Sequence, residues 1–230
     1  MTPKKLHRFY IPTIPEGSPL VLTDETVVHQ IVSVLKFSLG ESFIIFTHGG
    51  PDITVTITSK DKKSVTVEKV TTTPTIPLPR SIIACVCITK GASFELAVQK
   101  LTEVGVSVIV PIISERTIKQ SLRLDRLEKI SLEALEQSGG NTKVVLHEPM
   151  TLSESFTAFP YFTVLCDAYD DTTTIVLPDT VVMYVGPEGG WSDTDRAVFD
   201  TKEIHHLKLG DKILRTETAA IIGAHTLLWK

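Results

Sequence analysis

A run of small residues follows directly on an apolar segment in the second half of the chain. The segment is Val181–Val185, and the run is Gly186-Pro187-Glu188-Gly189-Gly190. Glycines let the main chain approach a ligand closely, and open α/β sheets bind their ligands at the carboxyl ends of strands. A tight turn that needs positive φ angles explains the same residues equally well. The run is therefore either a candidate ligand-binding loop or a simple turn.

The spacing of these glycines differs from that of the common nucleotide motifs. It is not GxGxxG, which disfavours a nicotinamide dinucleotide fold, and it lacks the Gly-Lys-Ser/Thr ending of a nucleotide P-loop. Ser192 precedes Asp195 by three residues and predicts a capping box, so a helix should begin directly after the run.

A second candidate region lies at Leu207–Ala220, where a strand end, a glycine turn and a helix start follow one another. Arg215 and Glu217 stand at the entrance of this helix. Thr216 is predicted to be its N-cap, and Glu217 in the first turn suits the helix dipole, which is a sufficient structural account of both. A charged Arg-Thr-Glu sequence between apolar runs is also a natural place to hold a polar ligand.

The elements that must position these residues change character at residues 71–80, where three prolines at alternating positions favour an extended linker. Before the linker the pattern is mostly that of β-strands, with one amphipathic helix at about Asp24–Lys36. The strands there are predicted at Ser42–Phe46, around Ile53–Ile57 and around Val65–Val67.

After the linker, apolar runs alternate with helical patterns, which predicts a mainly parallel sheet. Helices are predicted around Phe94–Val104, ended by Gly105, at Leu124–Ser138 and at Glu217–Trp229. The predicted strands are Ile82–Ile88, Val106–Ile113, Lys143–His147, Phe162–Cys166, Val181–Val185 and Ile204–Leu209.

Composition narrows the function classes only moderately. The chain has 230 residues and a net charge of −4, so it carries no overall basic excess for nucleic acid. No apolar run approaches the roughly 18 residues that span a bilayer, and the basic start has no apolar signal core behind it. Cys85, Cys87 and Cys166 cannot all pair with one another. Cys85 and Cys87 sit in an apolar run and are expected to be buried reduced thiols rather than metal ligands, which favours a cytoplasmic location.

The two candidate regions together are similar to the paired motifs of a known family. VGPEGGWS followed by LGDKILRTETAA resembles the 16S ribosomal RNA (uridine-N3)-methyltransferases of the RsmE family, which belong to the SPOUT superfamily. The resemblance continues in HRFYIP near the start, in KGASFELAVQKLTEVGVSVIVPIISERT and in EALEQSGGN. It therefore spans nearly the whole chain, and the combination in this order is highly specific.

The resemblance implies an α/β fold in two domains. Residues 1–73 would form a small PUA-like β-barrel that binds RNA, and residues 74–230 a SPOUT methyltransferase domain with a trefoil knot. It also implies S-adenosyl-L-methionine as the cofactor, bound in the knot, and a homodimer in which each site borrows residues from the partner. The cofactor-binding residues carried over are Leu165, Gly186, Pro187, Glu188, Gly189, Leu209, Gly210 and Leu214.

The substrate implied is 16S ribosomal RNA, free or in the assembled small subunit. Because N3 of uridine carries a proton, Arg215 is expected to stabilise the developing negative charge, and Glu217 to position Arg215 or accept the proton. The basic positions that match the family are Arg8, Lys90 and Arg116, which are predicted to contact RNA. The chain departs from the family pattern at Ala92, Ser93, Gly140, Val144 and Asp211.

Two rival functions remain open from the sequence. One is a SPOUT enzyme that methylates another RNA nucleotide, such as a ribose hydroxyl. The other is a non-catalytic RNA-binding assembly protein, although such a protein would not need a cofactor loop. A metal-dependent hydrolase is disfavoured, because His205 and His206 are adjacent and have no carboxylate at a ligand spacing.

Overall fold

The computed structural model describes residues 5–117, 121–167 and 176–230. The chain divides into two compact units. The first unit comprises Met1–Pro77 and Leu135–Lys143, and the second comprises Leu78–Ala134 and Val144–Lys230. Within the described ranges, no helix combines the length and the apolar character that crossing a bilayer requires.

The first unit is built on a sheet that, among its described residues, has five strands in the order β1-β3-β4-β5-β2. β1 pairs with β3 in parallel, and the other neighbours are antiparallel. Alternating apolar residues of these strands face one core that contains Phe43, Val55 and Val67. The strands are β1 Arg8–Tyr10, β2 Leu20–Leu22, β3 Ser42–Phe46, β4 Asp52–Lys60 and β5 Val65–Thr73.

One helical segment completes the core of the first unit. Helix α1, Glu25–His29, begins at Asp24, whose side chain accepts hydrogen bonds from the main-chain N–H groups of Thr26 and Val27. The segment continues as a π-helical turn at Gln30–Val34. This matches the helix predicted over this region, although its second half is wound more loosely than an α-helix.

The second unit carries a parallel sheet, with seven strands in its described part. The order is β12-β10-β11-β6-β7-β8, and β9 also pairs with β7. The strands are β6 Ser81–Cys87, β7 Val108–Ile113, β8 Val145–Leu146, β9 Met150–Thr151, β10 Phe162–Asp167, β11 Thr180–Val185 and β12 His205–Lys208.

Helices cover both faces of this sheet, so the central strands are buried on both sides. In β6, for example, Ile82 and Ala84 belong to one apolar core, while Ile83 and Cys85 belong to the other. The helices are α2 Ala92–Val104, α3 Leu124–Ser138, α4 Leu152–Ala158, α5 Asp193–Phe199 and α6 Thr216–Trp229. The last turn of α3 belongs to the first unit.

The predicted α/β class and parallel sheet are confirmed. Helix α3 has the predicted bounds, and Gly105 ends α2 with a φ of 101°. The predicted burial of Cys85 and Cys87 is also confirmed, and Cys166 is likewise free and buried. Helix α4 was not predicted, although Thr151 and Glu154 form the capping box that begins it. The short strands β1, β2 and β9 were not predicted either, because they have too few residues to show an alternation of apolar and polar positions.

Candidate active site

Three loops that carry candidate residues leave the sheet of the second unit at one edge, within its described part. Strands β6, β11, β10 and β12 are parallel neighbours, so their carboxyl ends lie together. Thr89–Gly91 follows β6, Gly186–Gly190 follows β11, and Leu209–Leu214 follows β12. The two regions singled out from the sequence therefore begin at the same edge, which is where open α/β sheets bind ligands.

The loop Gly186–Gly190 is a tight turn that is held on two sides. The main-chain N–H of Gly190, whose φ is +68°, donates to the carbonyl oxygen of Pro187 at 2.8 Å. A Cβ atom added at Gly186 would lie 3.1 Å from the indole ring of Trp191, so this position leaves little room for a side chain. Thr216 donates its hydroxyl to the carbonyl oxygen of Gly186 at 2.8 Å. The turn and the start of α6 are thereby joined directly.

The start of α6 differs from its prediction in one respect. Arg215, with φ −66° and ψ 154°, occupies the N-cap position, so the expected N-cap Thr216 is instead the first helical residue. The hydroxyl of Thr216 donates to the carbonyl oxygen of Gly186, so it does not cap the helix to which Thr216 belongs. Side-chain hydroxyl groups can bond either to nearby main-chain groups or to a distant partner, and here the distant partner is used.

Arg215 and Glu217 occupy different environments at this helix start. The Arg215 side chain is exposed, whereas Glu217 is only 7% exposed. A hydroxyl hydrogen bond of 3.5 Å runs from Ser93, in the first turn of α2, to Oε1 of Glu217. The pair thus offers a cation open to an incoming ligand beside a sheltered carboxylate, which suits stabilising an anion and accepting a proton.

The remaining residues of the predicted cofactor site lie along the same loops, with one exception. Pro187 is buried, Glu188 and Gly189 are exposed, and Leu209 and Leu214 are partly buried. Gly210 has a φ of +127°, a conformation that favours glycine.

Leu165 is the exception. It lies within β10, opposite Tyr184 of β11, and is buried in the core that also contains Trp191. It also lines a cavity of about 540 Å³, whose other lining residues are Arg196, Phe199, Asp200, Lys202, Ile204 and His206.

Of the three residues predicted to contact RNA, Arg8 is buried, with 7% of its surface exposed. Its guanidinium forms an ion pair of 2.6 Å with Asp52 and stacks over Phe46 at 4.2 Å. It also donates to the side chain of Asn141 at 2.7 Å and to the carbonyl of Gly140 at 3.1 Å. These contacts argue against the RNA contact predicted for Arg8, because its donors are directed at acceptors inside the first unit.

The other two predicted RNA contacts, Lys90 and Arg116, are exposed. Lys90 follows β6 at the edge described above. Arg116 donates from Nη1 to the carbonyl oxygen of Gly189 at 2.8 Å, so it contacts the glycine loop directly. Its neighbour Glu115 accepts hydrogen bonds from Ser192 and Thr194, which hold the pKa of its carboxyl below the ordinary value.

Three residues around the glycine loop were not predicted in their observed roles. Trp191 and Thr216 contact Gly186, and Glu115 contacts Asp195 of α5, the helix that follows the loop. The sequence predicted that Thr216 stands at a helix start. It did not predict that its hydroxyl bonds to Gly186, which lies 30 residues earlier in the chain. Nothing in the local sequence around Glu115 pointed to α5. His206, which the sequence placed at a strand end or in solvent, lies in β12 and contacts Asp167 at 3.2 Å.

Comparison with known proteins identifies the family of this fold and site. Residues 76–228 match the family model of the RNA methyltransferase domain. The chain is 28% identical to ribosomal RNA small subunit methyltransferase E of Aquifex aeolicus, over 94% of this chain and 96% of that protein.

Two solved structures agree in fold over nearly the whole chain. One is ribosomal RNA small subunit methyltransferase E from Neisseria gonorrhoeae bound to S-adenosyl methionine, with TM-score 0.87, 29% identity and 98% of both chains covered. The other is a methyltransferase from Legionella pneumophila in complex with the cofactor SAM, with TM-score 0.86, 28% identity and 97% of both chains covered. The SPOUT fold class and the family predicted from the motifs are thereby confirmed. This chain belongs to the RNA methyltransferase domain family, and it is an enzyme related over most of its length to ribosomal RNA small subunit methyltransferase E.

Proposed function

We propose that the enzyme transfers the methyl group of S-adenosyl-L-methionine to N3 of a uridine in 16S ribosomal RNA. The observation that carries the proposal is the hydrogen bond from Thr216 to the carbonyl of Gly186. It places the glycine loop against the helix start that presents Arg215 and Glu217. The proposed cofactor loop and the proposed acid–base residues Arg215 and Glu217 thus lie at one edge of the sheet. The relatives in this family are ribosomal RNA methyltransferases.

The residues at this edge fit the cofactor. A Cβ atom added at Gly190 or Gly210 would meet no atom within 4 Å, so there is open space beside the main chain at both glycines. Main-chain groups in such loops can bond the polar edges of an adenine and an amino acid, and Leu209 and Leu214 supply apolar surface. Gly186, Pro187, Glu188 and Gly189 would hold the cofactor from the side of β11. When bound, the sulfonium supplies a methyl group that is already activated.

The chain's own residues must orient the uridine and remove its N3 proton. Arg215 is exposed and can reach an incoming base, where its positive charge would stabilise the negative charge that develops on the uracil ring. Glu217 is sheltered beside it and can accept the proton or hold Arg215 in place. The rate of methyl transfer is increased further by holding N3 of the base in line with the methyl donor.

A methylation assay with small ribosomal subunits from cells that lack N3-methyluridine tests the proposal. Purified protein and S-adenosyl-L-methionine are added, and the digested RNA is analysed by mass spectrometry. N3-methyluridine is the expected product. Methylation of a different nucleoside would contradict the proposed acceptor but not the methyltransferase activity. Absence of both methylation and cofactor binding would contradict the whole proposal.

The Arg215→Ala variant tests the assigned chemistry in the same assay. We expect turnover to fall by roughly 100-fold or more, the range for a positioned catalytic group, with cofactor binding by calorimetry retained. Arg123→Ala is the matched control, because Arg123 is an exposed arginine paired with Asp125 rather than with the site. Unchanged turnover of Arg215→Ala would exclude the role given to this side chain.

The proposal extends to the partners of the enzyme. Residues 1–73 are proposed to form the PUA-like barrel domain that binds RNA, with residues 74–230 as the SPOUT domain. Lys90, exposed at the site edge, is proposed to contact the RNA phosphates. A homodimer is proposed as the active form. Its proposed location is the cytoplasm, a reducing compartment in which the three free thiols agree with what is expected.

A further inference from the structure

The turn Ser114–Thr117 follows β7 and has no part in the chemistry proposed above. Nevertheless it contacts the glycine loop and the start of α5 through several side chains. β7 is separated from β11 by β6, so these contacts bridge across one intervening strand. The turn therefore contacts a loop that follows a strand two positions away in the sheet.

Arg116 makes the contact with the loop itself. Its Nη1 donates to the carbonyl oxygen of Gly189 at 2.8 Å. Its aliphatic stem covers the same residue: a Cβ atom added at Gly189 would lie 3.6 Å from Cδ and 3.8 Å from Cβ of Arg116. The side chain therefore both bonds to and packs against Gly189.

Glu115 extends the contact to the start of α5. Its carboxylate accepts hydrogen bonds from the hydroxyls of Ser192 and Thr194, and its main-chain N–H donates to Oδ1 of Asp195 at 3.4 Å. Asp195 is 6% exposed and also accepts from the main-chain N–H of Ser192 at 3.1 Å. The residues directly after the glycine loop are thus fixed from the same turn.

The turn is itself well ordered by internal hydrogen bonds. The main-chain N–H of Ser114 donates to the hydroxyl of Thr117 at 2.9 Å, and the N–H of Thr117 donates to the carbonyl of Ser114 at 3.1 Å. Ser114 is buried. Arg116 and Glu115 therefore project from a base anchored to the sheet.

We propose that Arg116 is a positioning residue, which holds the Gly189 carbonyl and thereby fixes the glycine loop in the shape that binds the cofactor. Consecutive glycines at 189 and 190 lose much conformational entropy when the loop is ordered. Because the hydrogen bond from Arg116 already restrains Gly189, less conformational entropy remains to be lost when the cofactor binds. The inference rests on the proposed function, and it replaces the RNA contact that the sequence suggested for Arg116.

The decisive experiment measures cofactor affinity without RNA. We expect Arg116→Ala to weaken binding of S-adenosyl-L-methionine in calorimetry by about fivefold, the effect of losing one typical hydrogen bond at an exposed position. Arg116→Lys, which can still donate to the carbonyl, should recover part of the loss, and Glu115→Ala should show a loss in the same direction. Arg123→Ala should bind as the wild type does. The KM for RNA should stay unchanged in Arg116→Ala, because the side chain acts on the loop.

A second measurement separates this inference from the proposed function. Hydrogen exchange of the amides of Gly186 and of residues 188–192, followed in the ligand-free protein, should become faster in Arg116→Ala and stay unchanged in Arg123→Ala. Unchanged exchange, or unchanged cofactor affinity with a raised KM for RNA, would overturn the positioning role. Failure of the wild type to bind the cofactor would instead overturn the proposed function, and the exchange result would still decide whether Arg116 orders the loop.

Discussion

Thr216 shows how a single hydroxyl connects two motifs that are far apart in the sequence. Its side chain is 4% exposed and donates to the carbonyl of Gly186. The bond is partly buried, so the Gly186 carbonyl would keep part of the cost of leaving water if it lost this donor. This bond is therefore expected to stabilise the second unit and to keep the glycine loop beside the start of α6.

At the residue scale we predict that Thr216→Val lowers the free energy of unfolding by about 1–2 kcal/mol, because valine matches the shape of threonine but cannot donate. Urea unfolding followed by circular dichroism measures the change. Thr216→Ser keeps the hydroxyl and should lose less. Thr218→Val, at a partly buried threonine of the same helix, serves as the control. Equal stability of Thr216→Val and the wild type would show that the bond contributes nothing.

At the scale of elements, α6 packs closely on the sheet because of one glycine. A Cβ atom added at Gly223 would lie 2.9 Å from Sγ of Cys166 and 2.9 Å from Sδ of Met183. Both sulfur atoms belong to residues of the central strands β10 and β11. The glycine thus lets the helix approach the strands whose carboxyl ends form the site.

We predict that Gly223→Ala destabilises the enzyme, although alanine is the better helix former by about 1 kcal/mol. The added methyl group overpacks the contact with Cys166, and such overpacking costs about 1–3 kcal/mol. Thermal unfolding would report a lower Tm. A higher Tm would mean that helix propensity outweighs packing, and that α6 can move away from the sheet without loss.

At the scale of the whole molecule, exposed apolar residues lie on and next to α6. Trp229 and Ile222 are exposed on the helix, and Ile213 is fully exposed in the loop that precedes it. Ile222 and Trp229 are seven positions apart and therefore lie on the same face of α6. Exposed apolar side chains that lie together are typical of a surface that another chain covers. We propose that the two copies of the homodimer associate through this face of α6.

We predict that the protein sediments as a dimer and that Ile222→Glu shifts it toward the monomer, because a charge buried in an apolar interface is costly. Sedimentation equilibrium measures the mass, and circular dichroism checks the fold. Ile76→Glu is the control, since Ile76 is an exposed apolar residue of the first unit. A wild-type protein of monomer mass at all concentrations would contradict the homodimer.

The sequence by itself determined the local structure of most elements and the location of both motifs. In β6 it showed an uninterrupted apolar run, and the structure buries alternate residues of that run in two cores. At Gly105 it predicted the end of α2, because a left-handed conformation there favours glycine. Such features depend on neighbouring residues only, so periodicity and residue type are sufficient to predict them.

Only the tertiary structure decided which of these residues meet. Strand order brings β11 between β10 and β6, and no local pattern encodes that order. Thr216 bonds to a residue 30 positions away, and Arg116 to one 73 positions away. Arg8 is basic and matches the family pattern, so it was predicted to contact RNA. In the fold it is buried, and its guanidinium donates to hydrogen-bond acceptors such as the side-chain oxygen of Asn141. The partner of a polar side chain is set by long-range packing, because the same donor can serve solvent, RNA or a buried carbonyl.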